Sequence, residues 1–383
     1  MNVEDIKPLL HDVYHRIVNA DQLENLGVGL FSGIAGAVIY CFNYGVFFND
    51  PNAKEFAYEL LQRSLEVNEI SSHTYCNGAS GLCSMLLYLC EENFIDSENA
   101  IKITDLFDEY ISYSMLRDAE MGNNDLLHGS LGSALYLLQR NNSVAKASVC
   151  KLVDILDSTK IQQDDMYYWT SPICGENPAK INIGFAHGLS SFATFFIQAY
   201  RMGVLKSKTK ELLSGLCSFL QTQRNSESSS EISLFPTFSS NFNEMRSSRL
   251  GWCYGDLGIA RSIQRSCSIL KDSQLEMIYQ RAFSLSLKRT TLKDAFINDS
   301  SICHGAGGLY LIYKQQYEIT SNIKFSQAMS LWLYYTYTLL NKELSSNDGL
   351  NSLSLLDGSS GSALVLLSAI APSSTSWVKL FLY

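Results

Sequence analysis

Two cysteines and a histidine stand directly before glycine-rich turns in distant parts of the chain. Cys253 lies in the stretch WCYGDLG, residues 252–258, and Cys303 and His304 open the stretch CHGAGG, residues 303–308. Two thiolates and one imidazole are ligands that zinc prefers, and three protein ligands with one open position are typical of catalytic zinc. We therefore predict that Cys253, Cys303 and His304 bind Zn²⁺ and that the ion activates a thiol.

His187 has a similar position in the sequence, because it directly precedes Gly188 in the stretch GFAHG. We predict that it faces the same end of the fold as the zinc ligands and acts as an acid or a base. Asp125 precedes its own glycine by four residues, which is consistent with a helix N-cap or with a partner that orients His187. The sequence leaves both roles open, and it also leaves open whether His128, directly before Gly129, reaches the site.

Two further residues adjoin the first predicted zinc ligand. Tyr254 follows Cys253 directly, and Arg249 stands four residues before it in the loop that leads to it. We predict that both side chains contribute to the site. Most of the other cysteines are expected in the hydrophobic core, where a free cysteine behaves as a small apolar residue.

Seven stretches of the chain share one design, a G-x-x-G turn followed by an almost wholly apolar segment of helical length. Ser191 replaces the second glycine in the fourth copy. Successive turns are separated by 45 to 67 residues, a period that fits two helices and two loops per repeat. The turns begin at Gly33, Gly78, Gly129, Gly188, Gly255, Gly305 and Gly358.

The segments between the turns have one apolar and one polar face, as in residues 55–67, 100–115 and 273–287. We predict that the apolar helices form an inner layer and the amphipathic helices an outer layer. The fold class is then all-α, an α/α toroid of seven inner and seven outer helices, as a single domain over residues 1–383. Ligand sites concentrate at the mouths of barrels, where the glycine turns lie. A Ser-rich stretch near residues 225–240 is interpreted as a loop or lid.

The composition excludes several classes of protein. The chain carries 29 Lys and Arg against 38 Asp and Glu, a net charge of −9, which argues against nucleic-acid binding because phosphate contacts need clustered basic residues. No stretch reaches the roughly 18 uncharged apolar residues that a transmembrane helix needs, and the first twenty residues lack the apolar region of a secretory signal. We expect a cytoplasmic protein whose ten cysteines stay reduced.

The motifs WCYGDLG, CHGAGG and NIGFAHG, together with the seven glycine turns, resemble those of the lanthionine synthetase C-like proteins, the cyclases of lanthipeptide biosynthesis. The resemblance spans nearly the whole chain and implies the α/α toroid of that family. Two departures from the family pattern, Ser191 and Asp256, affect no predicted ligand. The family's zinc ligands fall on Cys253, Cys303 and His304. Its catalytic positions fall on His187, Asp125, Arg249 and Tyr254.

The resemblance also implies a reaction and its participants. The family adds cysteine thiols of a peptide to dehydroalanine or dehydrobutyrine of the same peptide, forming (methyl)lanthionine thioether rings with a zinc cofactor. The implied substrate is a dehydrated precursor peptide with a leader. Nothing in the chain resembles a dehydratase, so the first implied partner is a separate dehydratase. The second implied partner is an export transporter. Association with a membrane would then occur through such a biosynthetic complex.

Four alternatives remain open at this point. The same zinc chemistry would serve a family member that adds glutathione to dehydrated residues. A second alternative is a non-catalytic scaffold that binds glutathione. A protein prenyltransferase β-subunit also activates a peptide thiol with zinc, but the chain has few basic residues to bind a lipid diphosphate. A glycosidase of the α/α barrel type would need paired carboxylates, and Asp125, Asp256 and Asp357 are not obviously paired in sequence.

Overall fold

The computed structural model describes residues 3–20, 23–66, 70–140, 142–170, 181–225, 232–239, 247–345, 353–371 and 375–382. Within these ranges the chain forms fifteen α-helices and one small β-hairpin. In the first third of the chain these are α1 (Val3–Val18), α2 (Ala35–Phe47), α3 (Pro51–Leu65), α4 (Ala79–Glu91) and α5 (Ser97–Glu120). The middle contains α6 (Ser130–Arg140), α7 (Ser143–Thr159), β1 (Ile161–Gln163), β2 (Met166–Tyr168), α8 (Leu189–Arg201) and α9 (Lys206–Thr222). The remainder contains α10 (Asp256–Leu270), α11 (Ser273–Ser286), α12 (Leu292–Ala295), α13 (Ala306–Thr320), α14 (Ile323–Ser345) and α15 (Ser359–Ile370).

The predicted apolar helices follow the seven glycine turns. Each begins within two residues of its repeat glycine, and together they are α2, α4, α6, α8, α10, α13 and α15. They are buried on all sides over most of their length, as in α15, where Ser359–Ser368 is buried without interruption. A helix that is apolar all round must be covered on every face, so these helices form the inner layer that the sequence predicts.

The helices between the turns bury only one face. In α3 the buried residues are Ala53, Ala57, Leu60, Leu61 and Ser64, which recur at the three- and four-residue spacing of one helix face. The predicted amphipathic segments lie in α3, α5 and α11. The β-hairpin is a feature that the sequence analysis did not predict. Its strands pair antiparallel with Ile161 opposite Tyr168.

The chain divides into two compact units, Met1–Phe107 with Ile297–Tyr383, and Asp108–Phe296. In the first unit α13, α15, α2 and α4 contact one another in that order, and α14, α1 and α3 pack on the outside of this row. In the second unit α6, α8 and α10 form the corresponding row, covered by α7, α9 and α11. The assignment of the whole chain to one domain stays a prediction.

Backbone hydrogen bonds join neighbouring loops at the glycine turns of the first unit. Phe31 N–H donates to the carbonyl of Cys76, and Leu356 N–H donates to the carbonyl of Phe31. The N–H groups of Ile302 and Cys303 both donate to the carbonyl of Leu356, at 3.1 Å. The loop that carries Cys303 is therefore held by its neighbour through the main chain, independently of side-chain identity.

In the described ranges, no helix combines the length and the apolar composition that crossing a bilayer requires. Residues 226–231 and 240 of the predicted Ser-rich loop lie outside the described residues.

We predict that Gly305→Ala lowers the free energy of unfolding by about 2 kcal/mol or more. A Cβ at this position would lie 2.2 Å from Asp299 Oδ1 and 2.3 Å from Ser301 N, so the turn before α13 would have to open. Urea unfolding measures the loss. The control is Gly45→Ala inside α2, where a Cβ would meet Lys54 Cγ at 2.8 Å and main-chain atoms only at 3.1 Å or more, and alanine gains helix propensity. A Gly305→Ala protein as stable as the control would contradict the role of the turn.

Candidate functional site

A shared turn positions the residues before each repeat glycine. The N–H of the first residue after the glycine donates back to the carbonyl of the residue six before the glycine. In the described part of the chain, five turns contain this bond: Ile34 to Gly27, Ala79 to Ser72, Ser130 to Asn123, Leu189 to Asn182 and Ala306 to Asp299. The turn brings the side chains directly before the glycine to the N-terminal end of an inner helix, which is the location predicted for the site.

The three predicted zinc ligands form one group. One potential ligand atom from each of Cys253, Cys303 and His304 lies within 4.8 Å of the other two. The cysteines are 4 % and 8 % exposed, and the His304 side chain is 34 % exposed. Two thiols and an imidazole this close together fit a zinc ion with three protein ligands and one open position, so the group could hold the metal that the sequence analysis predicts.

Cys253 is positioned by its backbone. Its carbonyl accepts hydrogen bonds from the N–H groups of Phe185, at 2.7 Å, and Ala186, at 3.1 Å. Two residues later Gly255 has a φ of +83°, and a Cβ there would lie 2.0 Å from the carbonyl oxygen of Arg249. Only glycine tolerates this conformation and this approach without strain, so the glycine of the motif fixes the loop that presents the thiol.

Both ring nitrogens of His304 face carboxylates of its own unit. Nε2 lies 3.3 Å from Asp299 Oδ2, and Nδ1 lies 3.5 Å from Asp357 Oδ1. Burial raises the pKa of Asp357, whereas the positive charge of His304 and a hydrogen bond with the Cys303 thiol lower it. The sequence analysis assigned no role to Asp299. An alignment of the seven repeats on their glycines is the signal that could have identified it.

His187 and Asp125 form the predicted pair, with 2.8 Å between Nδ1 and Oδ2. The other carboxylate oxygen, Oδ1, accepts the N–H groups of Leu127 and His128 at 2.8 and 2.7 Å. Asp125 therefore caps the loop turn before α6 (Ser130–Arg140) rather than the helix itself, and its second oxygen pairs with His187. Burial lowers the pKa of His187, but the hydrogen bond and charge of Asp125 and the charge of Cys253 outweigh burial and raise it.

His128 stacks on this pair. Its ring lies 5.9 Å from the ring of His187, at an interplanar angle of 11°. Burial lowers the pKa of His128, as does the neighbouring His187, while Asp125 acts in the opposite direction. The two histidines thus divide into one whose pKa is raised and one whose pKa is lowered, which favours His187 as the proton donor.

Tyr254 lies beside His187, with 6.1 Å between the ring centroids. Its phenol oxygen accepts a hydrogen bond from Asn182 Nδ2 at 3.3 Å, a contact that the sequence analysis missed. The ring lies so close to Gly184 that a Cβ there would meet Tyr254 Cδ1 at 2.6 Å. Arg249 is half-buried and occupies the turn position six residues before Gly255.

Asp256, one of the two departures from the family pattern, anchors a neighbouring segment. Its fully buried carboxylate accepts the N–H groups of Leu234 and Phe235 at 3.0 and 2.7 Å. Burial raises the pKa of Asp256 to about 6, although both backbone donors and the charge of Arg289 lower it. This carboxylate ties the segment 232–239 to the first turn of α10, three residues after Cys253.

These contacts define what the arrangement can do. Cys253, Cys303 and His304 offer a soft ligand set for a metal ion that could activate a thiol. His187, held by Asp125, offers a proton at a raised pKa. Together they could activate a sulfur nucleophile and protonate a carbon atom.

Comparisons with known proteins identify the fold and the family of the chain. Among solved structures, nisin cyclase matches with a TM-score of 0.75 and 19 % sequence identity, over 99 % of this chain and 96 % of that one. The likeness shows the fold, the helical toroid that the repeats predict. No curated protein matches. The family described as lanthionine synthetase C-like protein matches residues 24–382. The chain belongs to the lanthionine synthetase C-like family.

Proposed function

We propose that the protein is a zinc-dependent lanthipeptide cyclase. It adds cysteine thiols of a peptide to dehydroalanine or dehydrobutyrine residues of the same peptide, and so forms (methyl)lanthionine thioether rings. The observation that carries the proposal is the group of Cys253, Cys303 and His304 within 4.8 Å. Membership of the family and the likeness to nisin cyclase support the choice of reaction.

The proposed metal ligands are Cys253, Cys303 and His304. When bound, a zinc ion supplies the positive charge that favours the thiolate form of a substrate thiol, the form that acts as nucleophile. Two cysteine ligands suit this chemistry, because their negative charge compensates the metal and leaves a substrate sulfur nucleophilic. A set of three histidines leaves more positive charge and favours hydroxide formation instead.

The proposed role of His187 is to donate the proton that completes the addition. The thiolate sulfur forms a bond to the β-carbon of the dehydrated residue, and the π electrons move toward the α-carbon and its carbonyl. His187 then gives a proton to the α-carbon from one face. Its Nδ1 is engaged by Asp125, so Nε2 is the nitrogen that transfers the proton. Its raised pKa keeps more of the ring in the charged form near neutral pH.

The negative charge that develops on the carbonyl requires nearby donors. We assign this role to Arg249, to Tyr254 and to the N-terminal N–H groups of the inner helices. The contact with Asn182 Nδ2 orients the phenol, and the contact with Gly184 limits its movement. Preorganised donors of this kind lower a barrier without reorganising during the reaction.

The proposed setting is the cytoplasm, where the substrate is a dehydrated precursor peptide with its leader. A separate dehydratase supplies the dehydrated residues, and an export transporter removes the product. The cyclase itself acts as one domain.

The test uses the purified chain with added zinc and a synthetic peptide that contains one dehydroalanine and one cysteine. We expect loss of the free thiol without a change in peptide mass, detected by alkylation with iodoacetamide and mass spectrometry. A parallel reaction adds glutathione. A product that forms only when glutathione is present, and is heavier than the peptide by the mass of glutathione, would show intermolecular addition and contradict ring formation. Zinc-loaded protein without either product would refute the proposed reaction.

We predict that Cys303→Ala removes both bound zinc and ring formation, because two remaining ligands bind zinc much more weakly than three. Zinc content per chain, measured by atomic absorption, should fall from about one to near zero while the circular dichroism spectrum is unchanged. The matched control is Cys76→Ala, since Cys76 is also buried two residues before a repeat glycine. It should retain zinc and activity, and a fully active, zinc-free Cys303→Ala protein would refute the metal mechanism.

We predict that His187→Ala keeps its zinc but slows ring formation by roughly 10²- to 10⁴-fold, the usual contribution of a positioned acid. The rings that do form should have mixed stereochemistry at the α-carbon, because solvent protonates both faces. Chiral chromatography of the hydrolysed product measures this. The control His128→Ala removes the stacked ring and should slow the reaction by less than about tenfold. Full activity and a single stereoisomer in His187→Ala would rule out its role.

We predict that Asp125→Asn lowers the pKa of His187, because the carboxylate charge and hydrogen bond that raise it are both weakened. Asparagine Oδ1 can still accept the N–H groups of Leu127 and His128, so the turn should remain capped. An NMR titration of the His187 ring in both proteins, without metal, measures the shift. The control Asp272→Asn changes a helix N-cap away from the pair and should leave the titration unchanged. An unaltered or raised His187 pKa in Asp125→Asn would contradict the assignment.

A further inference from the structure

The residue six positions before the repeat glycine varies in type among the seven repeats. The residues found there are Gly27, Ser72, Asn123, Asn182, Arg249, Asp299 and Ser352. Asp299 is the only carboxylate in this set. It stands in the repeat that also supplies two of the proposed zinc ligands, Cys303 and His304.

The turn itself does not require a carboxylate. Asn182 Oδ1 accepts the N–H of Gly184 at 2.9 Å, and Asp299 Oδ1 accepts the N–H of Ser301 at 3.0 Å. In both repeats the main-chain carbonyl of the same residue also closes the turn. An amide side chain therefore performs the structural work of this position, and the second oxygen of Asp299 is available for another function.

That second oxygen faces the imidazole of His304. Asp299 Oδ2 lies 3.3 Å from Nε2, whereas Asp357 lies 3.5 Å from the opposite nitrogen, Nδ1. The Asp299 side chain is 30 % exposed and the Asp357 side chain 53 % exposed. Asp299 is thus the less exposed of the two carboxylates, and its other oxygen is engaged in the turn by a main-chain N–H.

The loop around Asp299 is anchored on both sides. The next residue, Ser300, donates from its main-chain N–H and its hydroxyl to the Glu343 carboxylate on α14. Its hydroxyl also contacts the Ser362 hydroxyl on α15, at 2.7 Å. On the other side, the first turn of α13 bonds back to the carbonyl of Asp299. The carboxylate that faces His304 therefore belongs to a loop that hydrogen bonds hold on both sides.

We propose that Asp299 is a positioning residue for the metal centre. It accepts a hydrogen bond from Nε2–H of His304, which fixes the ring and leaves the lone pair of Nδ1 for the metal. Carboxylates commonly orient metal-binding histidines in this way and make the ligand nitrogen more basic. The inference rests on the proposed zinc site and extends it to a residue that does not itself bind the ion.

The variant Asp299→Asn separates this role from the turn. Asparagine keeps Oδ1 for Ser301 N–H, as Asn182 does for Gly184, but it turns an NH₂ donor toward Nε2 in place of an acceptor. We expect zinc affinity to fall by roughly 10- to 100-fold, measured by competition with a chromophoric chelator, with an unchanged unfolding midpoint. The control Asp50→Asn loses the same charge at the N-cap of α3, in the same unit, and should bind zinc as wild type does. An Asp299→Asn protein with wild-type zinc affinity would overturn the proposal.

A second measurement tests the proposal without metal. The chain has six histidines, so ¹⁵N NMR can assign His304 by comparison with His304→Gln at a pH where the ring is neutral. We expect the Nε2–H tautomer in wild type and in Asp357→Asn, and the Nδ1–H tautomer in Asp299→Asn. The Nδ1–H tautomer in wild type, or a tautomer change in Asp357→Asn alone, would overturn the proposal. A wild-type protein with the Nε2–H tautomer that binds no zinc would instead refute the proposed function.

Discussion

A backbone hydrogen bond closes five of the seven repeat turns within the described ranges, and the positions of His187, Cys303 and His304 depend on it. It joins the first residue after the glycine to the carbonyl six residues before the glycine, so the intervening residues are held at the N-terminal end of an inner helix. The glycine is required because a side chain would collide with the turn, as at Gly305 and Gly255. Side chains directly before the glycine can then vary in chemistry while their position is conserved by the main chain.

Asp125 and Asp299 use the two oxygens of a carboxylate in the same way. In each, Oδ1 accepts main-chain N–H groups of the local turn, while Oδ2 faces an imidazole, His187 or His304. Local hydrogen bonds thereby remove the rotational freedom of the carboxylate before it meets its histidine, which lowers the entropic cost of orienting that ring. In two repeats, therefore, a carboxylate held by its own loop pairs with a histidine, the proposed acid His187 in one and the proposed metal ligand His304 in the other.

Burial alone would make the thiols of this protein unreactive. Burial raises the pKa of Cys217 to about 12 and raises the pKa of Cys41 further, so both stay protonated inside their helices. Cys253 and Cys303 are also buried, but they lie in loops, next to each other and to an imidazole. A thiolate in such surroundings needs a compensating positive charge. For this reason the two cysteines are better suited to binding a cation than to packing as apolar core residues.

The sequence by itself determined the seven repeats, the inner and outer layers and the identity of the proposed ligands. Glycine turns and apolar helices are local patterns, and a period near 50 residues leaves few ways to bury seven apolar helices. Residue types at the turns also pointed to His187, because the repeats align it with His304, and to Asp125 as a carboxylate that could orient it. The tertiary structure decided which carboxylate oxygen meets which ring nitrogen. It also decided that Asn182 contacts Tyr254 and that the Asp299 carboxylate faces His304. The directions of these side chains depend on packing that no local pattern encodes.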